Sequence, residues 1–221
     1  RRPQKEESGC RFAGRLKGSL EHFIVRRGTG KTVIAGYPWF LDWGRDTLIV
    51  ARGMLAAGMV EEVRDLVVTF ASLEENGTLP NTLQGDNATN RETSDAPLWL
   101  GVVCEELADL GVNLGSLPAA DRSVLEVLQS IASNYRDGTP NGIQMDATSG
   151  LIWSPTHFTW MDTNHPAGTP REGYPVEIQA LWIRLLRQLS GEWDELRLLA
   201  EESFKNLFPL KEGWVADQLI A

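Results

Sequence analysis

Cysteine is nearly absent from this 221-residue chain. Cys10 and Cys104 are the only two, too few for a disulfide framework. That scarcity suits a reducing compartment, and the expected location is cytoplasmic. No apolar run approaches the ~18 residues that a bilayer-spanning helix requires, and no signal-peptide pattern opens the chain. A membrane partner is therefore not expected. Positive charge is also in deficit: 21 Lys and Arg stand against 30 Asp and Glu, a net charge of −9. Such a balance argues against nucleic-acid phosphates or anionic lipid as the main partner. Histidine is scarce too, with three in all. His157 and His165 bracket Asp162, but no cysteine or second carboxylate stands at a typical ligand spacing, so no metal site is expected. Internal repeats and low-complexity tracts are missing as well.

What is present reads as helix. Hydrophobic residues make up 42% and charged ones 23%, ordinary globular usage. Phe12, Leu16, Leu20, Phe23 and Ile24 recur at helical spacing. Leu48 to Met59 is apolar nearly all round, as in a helix buried on several sides. Val63, Leu66, Val67, Phe70 and Leu73 form a third stripe, with Asn76-Gly77 placed as a C-cap. Ser94-Asp95-Ala96-Pro97 reads as a capped helix start, running on through Trp99, Val103 and Leu107. Three more helices are marked by Val124 to Tyr135, Ile178 to Leu189 and Leu196 to Phe204. The expected class is all-α, with seven helices.

The connections are less ordinary. Gly28 to Asp46, Thr78 to Thr93 and Asp137 to Pro175 are long and rich in aromatic and acidic residues, as functional loops are. Within the last, Ile143 to Asp146 and Leu151 to Trp153 flank Ala147-Thr148-Ser149-Gly150 as a small hairpin. Gly28-Thr29-Gly30-Lys31-Thr32 ends like a phosphate-binding loop but lacks the glycine required at Val25, and is read as a turn after a helix. The arrangement expected is helical hairpins whose long loops gather at one end. Because the chain starts at Arg1 and stops at Leu219-Ile220-Ala221, an excerpt of a longer polypeptide is expected.

Two loop segments carry the chemistry. In Gly36 to Thr47, Trp39, Phe40 and Trp43 offer flat apolar faces, while Asp42, Arg45 and Asp46 supply charged hydrogen-bonding groups between them. A sugar ring has apolar C–H faces and a rim of hydroxyls, which that mixture matches. The plainer alternative is a Trp-rich helix start, with Asp46 as N-cap and Arg45 in a local ion pair. In the second segment Asp162 follows Trp160, an apolar wall of the kind that suits a general acid. Glu177 opens a helix, where a carboxylate favours the macrodipole.

The residues Ala35 to Thr47, AGYPWFLDWGRDT, resemble the signature of the amylo-α-1,6-glucosidase domain of glycogen debranching enzymes. SDAPLWL (Ser94 to Leu100), then TWMD (Thr159 to Asp162) and TPREGYPVEIQALW (Thr169 to Trp182), are similar to that family's later signatures, in the same order. The resemblance extends from about Leu16 onward. It implies an (α/α)6 toroid, six inner and six outer helices around a pocket, of which residues 1–221 look like roughly the first half. It implies further domains upstream and the rest of the toroid downstream. Toroid relatives such as glucoamylases hold the terminal glucose with a similar W-x-R-D turn, matched here by Arg45 and Asp46. By resemblance Asp162 is the general acid. Trp43, Asn81, Asp95, Trp99, Trp160, Arg171 and Glu177 would line the pocket.

The implied activity is release of glucose from α-1,6 branch stubs of glycogen or limit dextrin, with inversion. One carboxylic acid then protonates the leaving oxygen while a carboxylate ~6.5–9.5 Å away activates water. The base is expected beyond Ala221, and neither cofactor nor metal is needed. Two alternatives stay open: a helical glycan-binding module without catalysis, and a toroid glycosidase for another α-glucoside, as in glucoamylase or trehalase relatives.

Overall fold

The computed structural model describes the backbone of residues 4–28, 30–85, 87–163 and 168–220, and side chains from Phe12 onward within those ranges. It contains seven α-helices and ten short strands among the described residues. In chain order these are α1 (Gln4–Glu21), β1 (Ile24–Arg27), β2 (Gly30–Val33), β3 (Asp42–Trp43), α2 (Gly44–Ala56), α3 (Val60–Ala71), β4 (Thr82–Leu83) and α4 (Ala96–Asp109). There follow β5 (Pro118–Ala119), β6 (Arg122–Ser123), α5 (Val124–Asp137), β7 (Gln144–Met145), β8 (Ile152–Trp153), β9 (Tyr174–Pro175), α6 (Val176–Leu189), α7 (Asp194–Leu207) and β10 (Gln218–Leu219). Every strand belongs to a two-stranded antiparallel pair. None of the helices is long and apolar enough to cross a membrane.

Helix α5 illustrates why these elements form. Val124, Val127, Leu128, Ile131, Ala132 and Tyr135 follow helical spacing and are all buried. Ser123 and Glu126 close a capping box at its start. Helices α2, α4 and α6 lie side by side in one row, with α3, α5 and α7 packed behind them. The core fills the space between the rows: Leu48, Leu66, Phe70, Leu98, Leu107, Leu128 and Trp182 have no exposed surface. Each such side chain stabilises by ~1.5–3 kcal/mol relative to leaving it in water. Cys104 is buried and unpaired in that core, and burial pushes its thiol well up, away from any redox reactivity.

The long loops do gather at one end of the α2–α4–α6 row. Strand β3, before α2, pairs with β4, in the loop before α4. Ser94, just before α4, donates its N–H to Phe158 O in the loop before α6. The expected hairpin in that loop is β7–β8, with Met145 opposite Ile152. Asp146 holds its turn by accepting from Thr148 N, Ser149 N and Ser149 Oγ.

Four local expectations are corrected. The first helix ends at Glu21, and Ile24 opens β1 rather than continuing the stripe. Ile24-Val25 and Thr32-Val33 are β-branched and flank a glycine-bearing turn, which favours a hairpin. The glycine-rich segment therefore follows a strand, and it returns into β2 rather than a helix, so no helix N-terminus meets it for phosphate binding. Its Thr29, like His165, lies outside the described residues. Asn76-Gly77 is not a C-cap, because α3 already stops at Ala71. Both residues have positive φ, 49° and 79°, and make the tight turn between Glu75 and Thr78, which exchange backbone hydrogen bonds. Helix α2 is not buried all round: Ile49 and Val50 join Leu16, Leu20, Phe23 and Val33 in an open groove of about 450 Å³.

Candidate active site

Arg45 is the hub. It stands in the first turn of α2, where Gly44 lets the chain pass tightly: a Cβ there would lie 2.7 Å from Pro80 O. Gly44 N donates to Asn81 O at 2.9 Å, tying the start of α2 to the second loop. Arg45 is only 8% exposed. It donates from Nε to Asp95 Oδ2 at 2.5 Å, from Nη1 to Asp162 Oδ2 at 3.0 Å and from Nη2 to Thr159 O at 2.9 Å. One guanidinium thus joins three loops whose residues lie 50 to 117 positions apart in sequence.

Asp95 is 2% exposed and also accepts from Thr93 Oγ1 at 2.8 Å. Burial pushes its carboxyl above the ordinary range, against the opposing pull of Arg45. Burial also works against the Arg45 charge, but Asp95 and Asp162 outweigh it and hold the guanidinium more firmly protonated than usual. The expected capping role of Asp95 is therefore not filled by its carboxylate, which turns to Arg45 instead. Around this pair the loops are fastened through buried polar contacts. Tyr135 donates to Ser94 O at 2.8 Å, and Ser94 Oγ meets Ser154 Oγ at 2.7 Å.

A second arginine sits beside the first. Arg171, 1% exposed, donates from Nη1 to Thr159 Oγ1 at 3.3 Å, so both guanidinium groups grip the same threonine. It clasps Glu177 with two bonds, one from Nη1 to Oε1 and one of 2.7 Å from Nη2 to Oε2. Asp217, from the segment leading into β10, completes its shell at 3.1 Å. Arg171 has φ of 50°, a left-handed backbone that costs a non-glycine residue roughly 1–3 kcal/mol and persists only where its surroundings fix it. The carboxylate of Glu177 is thus turned to Arg171, although it stands in the first turn of α6.

Residues 18–209 match the family described as amylo-alpha-1,6-glucosidase. The chain belongs to that family. The three ordered segments that resemble it in sequence are the ones whose side chains meet at Arg45, Thr159 and Arg171.

In this member of the glucosidase family, the residues singled out in the sequence fall into three groups. Arg45, Asp95, Asp162, Arg171 and Glu177 form one connected cluster through Thr159. Asp46, Trp43, Trp160 and Asn81 stand next to it in the chain or at the start of α2. Asp46 is exposed and has no side-chain partner among the described residues, so the plainer alternative, with Asp46 as N-cap and Arg45 in a local ion pair, is not found. Trp43 is half-buried, and Trp160 is exposed. Asn81 is buried, and its Oδ1 finds no hydrogen-bond donor among the described residues.

Asp42 and Trp99 have other attachments. Asp42 is buried against Arg27 of β1 at 2.8 Å, which fixes the hairpin to β3. Trp99 packs on the core beneath the Arg52 guanidinium, 5.9 Å from its ring centroid. Trp39 is 82% exposed, so it is no core residue. Trp39→Ala is accordingly expected to move Tm by at most about 2 °C, as other surface changes do. A shift matching the ~3–5 kcal/mol of a lost core aromatic, read by calorimetry, would contradict its position. Among the described residues, no three His, Cys, Asp or Glu side chains cluster as metal ligands would.

Two partners went unseen in the sequence. Thr159 was visible only as part of a motif, and Asp217 was not visible at all, since a single aspartate 46 residues from its arginine leaves no spacing to read.

Proposed function

We propose that this chain forms the first half of an (α/α)6 toroid that hydrolyses α-1,6-linked glucosyl stubs of glycogen or limit dextrin with inversion at the anomeric carbon. The observation that carries this is the Arg45 hub, which joins Asp95 and Asp162 where the loops before α2, α4 and α6 meet. In the proposed toroid, α2, α4 and α6, which pack side by side, would supply half of the inner ring, and α3, α5 and α7 would lie outside it.

In this account Asp162 protonates the glycosidic oxygen as the bond to C1 breaks. Arg45 fixes its carboxyl through Oδ2, while Asp95 and Thr159 fix Arg45. Asp46 offers an unshared carboxylate to sugar hydroxyls, and Trp43 and Trp160 offer apolar faces to the ring. The base that activates water on the opposite face belongs to residues after Ala221, as does closure of the ring. No cofactor or metal takes part, and the partner is an α-glucan encountered in the cytoplasm.

The test is a substrate panel with the full-length protein. Glucose should be released from dextrin bearing single α-1,6 glucosyl stubs, and not at comparable rates from maltose or trehalose. The reverse preference would assign the site to another α-glucoside. Binding of branched dextrin in a calorimeter with no glucose released would leave a binding module and end the hydrolase proposal.

A further inference from the structure

Asp217 stands outside every segment that resembles the family in sequence, yet it holds Arg171 through both its carboxylate and its backbone oxygen. Its two carboxylate oxygens accept from Arg171 Nε and Nη2, each at 3.1 Å, and its backbone oxygen accepts from Nη2 at 3.1 Å. The same backbone oxygen accepts from Val176 N at 2.9 Å, the first N–H of α6. Strand β10, which follows, pairs with β9 so that Leu219 faces Tyr174. The seat is tight: a Cβ on Gly173, whose φ is 125°, would lie 2.5 Å from Leu219 O.

We propose that Asp217 is a positioning residue for sugar recognition, setting the orientation of Glu177 through Arg171. Both carboxylate oxygens of Glu177 are held by the one guanidinium, and part of its side chain is still open to solvent. A bidentate clasp fixes the plane of a carboxylate, which leaves its outward lone pairs aimed in one direction, ready to accept from a sugar hydroxyl. Arg171 holds that plane only if it is itself held. Thr159 restrains it from one side and Asp217 from the other. Because Thr159 also accepts from Arg45, the orientation set at Asp217 reaches the loop that carries Asp162.

The inference rests on the glucosidase proposal for its substrate but not for its geometry. Asp217 is 67% exposed at its side chain, so a role confined to stability would be small. A positioning role is larger and falls on substrate binding. In the full-length protein, Asp217→Asn should raise KM for α-1,6-glucosyl dextrin roughly tenfold. It should change kcat much less and leave Tm nearly unmoved. Asp217→Glu, which restores the charge, should recover part of the loss. Unchanged KM in Asp217→Asn, or a fall in Tm with normal kinetics, overturns the proposal and leaves the glucosidase account standing. If the unaltered protein releases no glucose, that account fails by itself, and the clamp is then read from crystal structures of the two proteins. Glu177 turned away from Arg171 in Asp217→Asn supports the clamp; Glu177 in place refutes it.

Discussion

Asp162→Asn in the full-length protein is expected to slow glucose release from α-1,6-glucosyl dextrin by the ~10²–10⁴ that removal of a general acid typically costs. Asn keeps the size of the side chain and an oxygen able to accept from Arg45 Nη1, so the loop should stay in place. What is lost is the proton for the departing oxygen. α-Glucosyl fluoride needs no such proton, and its hydrolysis should fall far less. The contrast between the two substrates separates acid catalysis from damage to the pocket. Equal losses on both would mean that Asp162 is the base or a structural residue.

The second large effect concerns folding. Arg45→Met leaves Asp95, at 2% exposure, without its guanidinium. Breaking a buried pair from one side costs ~3–5 kcal/mol, because a charge stays buried uncompensated. In a domain of this size that corresponds to a fall in Tm of about 6–20 °C. Removing both charges relieves the stranded carboxylate, so Arg45→Met with Asp95→Leu should be more stable than Arg45→Met alone. Activity should stay lost in the double variant, since Asp162 has no anchor in either. A double variant as unstable as the single would show that Arg45 matters to the fold through Thr159 rather than through Asp95.

How much of this was legible depends on whether the signal was local. The helices were readable because one buried face repeats every 3.6 residues, as Val124 to Tyr135 does in α5. The β7–β8 hairpin was readable because Ala147 to Gly150 supplies turn residues between two short apolar runs. Ile24 reads as helix because the short apolar run Phe23-Ile24-Val25 fits either period, and a partner strand settles it as β1. Asn76-Gly77 carries the same residues in a tight turn as in a helix cap, since both need positive φ. The site was legible in part. Motif resemblance pointed to Arg45, Asp95 and Asp162, but the bond between Arg45 and Asp95 joins loops 50 residues apart and has no spacing to betray it. Asp42 looked available for sugar because its partner Arg27 lies in a hairpin that the spacing had hidden.

The most direct measurement follows the anomeric proton of released glucose by NMR while the full-length protein acts on dextrin bearing α-1,6 glucosyl stubs. Inversion by a water that attacks opposite the Asp162-protonated bond predicts β-glucose as the first product, with α-glucose growing in only by mutarotation. α-Glucose as the first product, or no glucose at all from this substrate, would contradict the account.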